Sequence, residues 1–130
     1  MKRHRLVIAL AIVMVLGSSQ AAFATSQYYH FHNNVPRTGW LSSSYKTLPA
    51  NTNFTTTLNS CVATNGSSEG SKGVLMKPVR SNGTQYSYKT VLPGEARKLL
   101  LGSVGYSRSI RIDLQAVGTS AVDCTGYWYF

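Results

Sequence analysis

The chain has 130 residues, with 13 Lys and Arg against 4 Asp and Glu, a net charge of +9. Four acids leave little choice for the paired carboxylates of a glycosidase. The cations are scattered and form no dense tract, so composition gives no support to specific nucleic-acid binding.

The first segment reads as an export signal. Lys2, Arg3 and Arg5 are followed by an unbroken apolar run from Leu6 to Leu16, then by small residues closing on Ala22-Phe23-Ala24. Positive, apolar and small, in that order, is what a secretory signal peptide requires. The run is also too short for a permanent membrane helix, which takes ~20 apolar residues. Residues 1–24 are therefore expected to be a signal peptide of the bacterial Sec type, cut between Ala24 and Thr25. Residues 25–130 are expected to be one secreted domain without a membrane-spanning segment. Cleavage lowers the +9 by three units. No Cys follows the apolar run to make a lipoprotein, and His4 separates the arginines that a twin-arginine signal needs adjacent.

Beyond residue 24 no segment sustains a 3.6-residue apolar period, and short β-rich runs alternate with turn residues. In chain order, strands are expected near residues 27–33, 39–45, 53–62, 74–80, 85–91, 97–101, 108–117 and 121–130. The clearest is residues 108–117, where Ile110, Ile112, Leu114 and Ala116 share one face and Ser109, Arg111, Asp113 and Gln115 the other. In residues 85–91, Tyr86 and Tyr88 are expected on one face and Ser87 and Lys89 on the other. Asn82-Gly83 predicts a type I′ hairpin turn, and Gly118-Thr119 a turn into the last strand. The Gly- and Ser-rich stretch from Asn65 to Gly73 predicts a flexible loop. About eight short strands at this spacing point to an all-β fold, a small antiparallel β-sandwich of immunoglobulin-like or jelly-roll type.

Cys61 and Cys124 suit an oxidising destination and are expected to form a disulfide. The loop closed would be about sixty residues, for which chain entropy predicts ~4 kcal/mol of stabilisation.

Few residues carry chemistry. His30 and His32 share a strand face, but two imidazoles do not make a metal site, so neither metal nor cofactor is implied. No G-x-S-x-G, phosphate loop or His-Glu motif is present, and the reading is non-enzymatic. In the closing run Tyr127-Trp128-Tyr129-Phe130, alternation sends Trp128 and Phe130 one way and Tyr127 and Tyr129 the other. Residues 25–130 are too few for a membrane barrel with its turns and long loops. Exposed aromatics offer flat apolar planes with polar tips. Trp40, Tyr86, Tyr88, Tyr127 and Tyr129, with Arg108 and Arg111, are thus the candidate ligand-binding residues. The expected function is binding of a cell-envelope polyanion or glycan. A small bacteriocin-like toxin and a protein-binding inhibitor module are the alternatives.

Overall fold

A computed structural model describes residues 28–130; the expected signal peptide and the Ala24–Thr25 cleavage site lie outside the described residues. Nine strands form two antiparallel sheets packed face to face. They are β1 (Tyr28–Val35), β2 (Leu41–Ser42), β3 (Lys46–Leu48), β4 (Phe54–Ala63), β5 (Val74–Arg80), β6 (Lys89–Val91), β7 (Lys98–Leu101), β8 (Arg108–Ala116) and β9 (Val122–Tyr129). One sheet has the order β1-β9-β4-β7. The other has the order β2-β8-β5-β6, with β3 also pairing β8. The chain is an all-β sandwich, as its alternation requires.

The inner faces meet in one core that includes Phe31, Leu58, Met76, Ile112, Leu114 and Trp128. Phe31 stacks on Trp128, with ring centroids 4.7 Å apart, and lies opposite Gly126 in the β1–β9 register. A Cβ on Gly126 would strike the Thr57 carbonyl and the Phe31 ring. Glycine is therefore what lets the aromatic ring lie across the centre of β9.

A one-residue bulge in β4 between Leu58 and Ser60 shifts the pairing with β9. Before the bulge, Phe54, Thr56 and Leu58 are buried; after it, Ala63 is buried, Cys61 half-buried, and Val62 faces solvent. An inserted residue reverses the face of everything beyond it. That reversal sets Cys61 directly opposite Cys124. The two sulfurs are 2.7 Å apart, longer than the ~2.05 Å of a disulfide, so here they stand as two thiols. The hydrogen bond to Cys124 lowers the Cys61 pKa against the opposing effect of burial. The same contact and burial raise that of Cys124.

Three expectations need correction. The strand at 39–45 is two short pieces, β2 and β3, because the Ser43 hydroxyl accepts the Ile112 N–H in place of a carbonyl. The strand at 85–91 is reduced to β6. Pro78 accepts from the Tyr86 N–H but has no N–H to return on that edge, so the ladder lapses over residues 86–88. The Asn82-Gly83 turn is not type I′. Gly83 has φ +92° while Asn82 does not have positive φ, and Gly83 N–H donates to the Arg80 carbonyl. That is the three-residue loop ending in a left-handed glycine. Gly118-Thr119 does lead β8 into the last strand, crossing from one sheet to the other.

The stretch from Asn65 to Gly73 is also no free loop. Ser68–Lys72 form a 3-10 helix capped by the Ser67 hydroxyl. Gly70 is packed so closely on β4 that a Cβ would strike the Cys61 carbonyl. Glu69 accepts from the Thr119 N–H at 2.9 Å and pairs with Lys72 at 3.1 Å. Those bonds hold its carboxyl below the usual range, the Thr119 amide being the main cause.

Candidate binding faces

Alternation along β5 and β8 sends Leu75, Lys77, Val79, Arg111, Asp113 and Gln115 to the outside of the five-stranded sheet. The register sets Lys77 opposite Asp113 and Val79 opposite Arg111, with Ser42 on the other side of Asp113. Two of these outward residues are nonetheless covered. Asp113 is 5% exposed and Val79 4%, and Val79 lies outside the main core. Long neighbouring side chains roof them.

Asp113 is well satisfied. It accepts from the Ser42 hydroxyl at 2.7 Å and from Arg111 Nε at 3.0 Å, with Arg111 Nη2 at 3.5 Å on its second oxygen. The carboxylate holds the Arg111 guanidinium in its charged form more firmly than usual. Arg111 Nη1 also reaches the Tyr45 hydroxyl at 3.2 Å and lies over that ring. Beside this network, Lys77 Nζ sits 4.3 Å from the centroid of Trp40 and donates to Gln85 Oε1 at 3.2 Å. Tyr88 stands 6.4 Å from Trp40 at an interplanar angle of 44°. Trp40, Tyr88 and Arg111 are thus brought to one face, and Tyr45, Lys77 and Asp113 belong with them.

Tyr127 and Tyr129 lie on the opposite side of the molecule, outside the four-stranded sheet, while Trp128 and Phe130 are buried as alternation predicts. Tyr28 and His30 from β1 meet Tyr127 edge-on at 6.0 and 5.1 Å. Tyr129 follows at 6.1 Å, and the Arg97 guanidinium covers the Tyr129 ring at 3.6 Å. His32 is engaged by Asp123 at 2.8 Å. Among the described residues no group of three His, Cys, Asp or Glu could hold a metal ion.

Two candidates fall away from any surface site. Tyr86 packs against the hydrophobic core, where the break at Pro78 turns it from the face of Tyr88. Arg108 is 4% exposed and donates Nη2 to the Gly102 carbonyl, with no partner for Nε. Its parity along β8 matches that of Ile110 and Ile112, so the signal for burial was already in the pattern.

Each of the four acids is committed, in the pairs Glu69–Lys72, Glu95–Lys98, Asp113–Arg111 and Asp123–His32. Among the described residues, Lys46, Lys77, Arg80 and Arg97 have no carboxylate partner, and each lies over a ring: Tyr29, Trp40, Tyr106 and Tyr129 respectively. A cation over a ring face is attracted by the ring quadrupole, so each of these charges has an aromatic neighbour where it has no carboxylate. The fold and these faces define a basic β-sandwich in which four of the cations without a carboxylate partner are seated on aromatic planes. Comparison with models of known families and with curated protein sequences finds no match for the chain.

Proposed function

We propose that this is a secreted, non-catalytic protein that binds an anionic glycan of the cell envelope, with the outer face of the five-stranded sheet as its site. The observation that carries this reading is the seating of uncompensated cations on aromatic rings, with Lys77 on Trp40 at its centre. A ring plane takes the apolar face of a sugar, and an adjacent ammonium or guanidinium takes its carboxylate or phosphate. The Asp113–Arg111–Ser42 network keeps the floor of the face rigid before ligand arrives.

The test is co-sedimentation of the protein with purified bacterial cell walls, together with titrations against polygalacturonate and a poly(glycerol phosphate) teichoic acid. These two polymers separate carboxylate from phosphate as the anion recognised. Binding is expected at low salt, weakening at ~0.5 M salt as screening shortens the reach of the charges. Trp40→Ala and Lys77→Gln are each expected to weaken it about tenfold, equivalent to ~1.4 kcal/mol. No binding to walls or to either polymer at low salt overturns the reading, and growth inhibition of related bacteria would favour a toxin instead.

In the exported protein, Cys61 and Cys124 are proposed to be joined. The half-buried, more acidic Cys61 thiolate attacks the disulfide of an oxidising thiol partner, and Cys124 then displaces that partner. Two protons and two electrons leave the pair, and the partner departs as a dithiol. What supports this is the direct cross-strand placement of the two residues.

A further inference from the structure

We propose that the outer face of the four-stranded sheet is a second, independent site for the same class of anionic sugar polymer, so that one molecule bridges two polymer chains. This rests on the reading of the five-stranded face above. The two faces point away from each other, because the inner faces of both sheets are joined through one core. A short oligosaccharide on one cannot touch the other.

The second face carries its own complete set of groups. Tyr28, Tyr127 and Tyr129 form a run of rings with successive centroids 6.0 and 6.1 Å apart. Tyr28 and Tyr129 are directly opposite each other as the terminal pair of β1 and β9, so the run lies towards the β1 edge of the sheet, at the end where β9 finishes. Tyr28 is 69% exposed. Arg97 closes the run on Tyr129, and no carboxylate of the described residues pairs with it. Asp123 on β9 is taken by His32, and Glu95, two residues before Arg97, is taken by Lys98.

Polar groups line the run. The Thr57 hydroxyl lies 3.3 Å from that of Tyr129, and the Ser60 and Thr125 hydroxyls share a 2.7 Å hydrogen bond. These can exchange hydrogen bonds with sugar hydroxyls. The chemistry matches that of the other face, a ring with a seated cation beside neutral polar groups. The architecture differs, since this face has no covered carboxylate beneath it.

Two sites on opposite faces make a cross-linker. Each polymer chain offers many repeats, so a bridging molecule gains avidity and gathers chains into a network. The experiment uses whichever polymer the unaltered protein binds, in two lengths. A tetramer of its repeat unit reports stoichiometry by calorimetry, and the long polymer reports network formation by turbidity.

Two tetramers per protein are expected, with turbidity that rises and then falls as protein is added. Arg97→Gln and Tyr127→Ala are each expected to reduce the stoichiometry to one and abolish turbidity while binding persists. Trp40→Ala is expected to weaken one of the two sites about tenfold and to leave the other at its unaltered affinity. Melting curves of all three variants establish that the fold is retained. One tetramer per unaltered protein, or turbidity undiminished in both Arg97→Gln and Tyr127→Ala, overturns the second site and leaves the first standing. An unaltered protein that binds nothing overturns both.

Discussion

On the five-stranded sheet the outward-facing Asp113 is roofed and held by two side chains, whereas on the four-stranded sheet the outward-facing Asp123 has a side chain 52% exposed and meets a single imidazole. The first face rests on a covered polar network with Val79 beneath it. The second rests on ring-to-ring contacts and paired hydroxyls. In the first, the groups that would meet a ligand also contribute to stability. In the second they stand on a sheet whose own stability comes from below, through Phe31, Gly126 and the cysteine pair. One face resists change, and the other tolerates it.

Joining Cys61 to Cys124 would tie β4 to β9 within the four-stranded sheet and close a loop that holds β5, β6 and β8 of the other. Oxidation is expected to raise unfolding stability by up to ~4 kcal/mol, read from denaturant midpoints with and without reductant. Amides of β4 and β9 should gain more hydrogen-exchange protection than those of β5 and β6. Equal midpoints in the two redox states would remove this asymmetry.

Next in size is the pair of carboxylates. Asp113→Ala strands the Arg111 guanidinium and the Ser42 hydroxyl near a covered site and should cost about 2 kcal/mol. Asp123→Ala removes an exposed ion pair and should cost under ~1 kcal/mol. If the two losses were equal, the contrast between faces would fail.

The smallest effect concerns acid. Glu69 is held below the ordinary carboxylate range by the Thr119 amide and then by Lys72. Glu95 is held there by the Leu92 amide, against slight burial, and by Lys98. A depressed folded value means each contribution is complete above the unfolded pKa of ~4.3 and fades as pH falls through the folded value. Exchange of the Thr119 and Leu92 amides should therefore be slow above the unfolded pKa and quicken as the pH falls through the lower folded values, corrected for intrinsic rates. Exchange unchanged down to pH 3 would show that these carboxylates do not hold the two loops.

Much of the architecture was legible because alternation is a local property. The ladder from Arg108 to Ala116 announces its buried face in Ile110, Ile112 and Leu114, and the same parity marks Arg108 as an inward residue. Phe54, Thr56 and Leu58 followed by Cys61 and Ala63 carry the phase change of the β4 bulge in plain sight. What could not be read was register. Nothing local says that Lys77 lies opposite Asp113, or that Trp40 and Tyr88 approach from different segments. Asp113 itself sits at a position that alternation marks as wet. Its covering depends on Arg111, which shares its strand, and on Ser42, far from it in the chain. Pro78 defeated the strand expected at 85–91 because its missing N–H disturbs a neighbouring strand and not its own.

The position of β9 between β1 and β4 has a consequence for the timing of folding. Those two strands do not pair with each other. β1 finds its one strand partner in β9, whereas β4 also has β7 on its other side, so β9, last in the chain, is what joins the two. The β5–β6 hairpin is available early, but its neighbours in the five-stranded sheet must also come from distant sequence. A chain arriving from its N-terminus therefore holds β1 in waiting, while every strand of the five-stranded sheet has been delivered by Ala116. The four-stranded sheet closes only when residues 122–129 arrive, and the high sequence separation of the β1–β9 contacts makes that step slow. The sandwich thus stays open on its β1 side until the final strand is delivered.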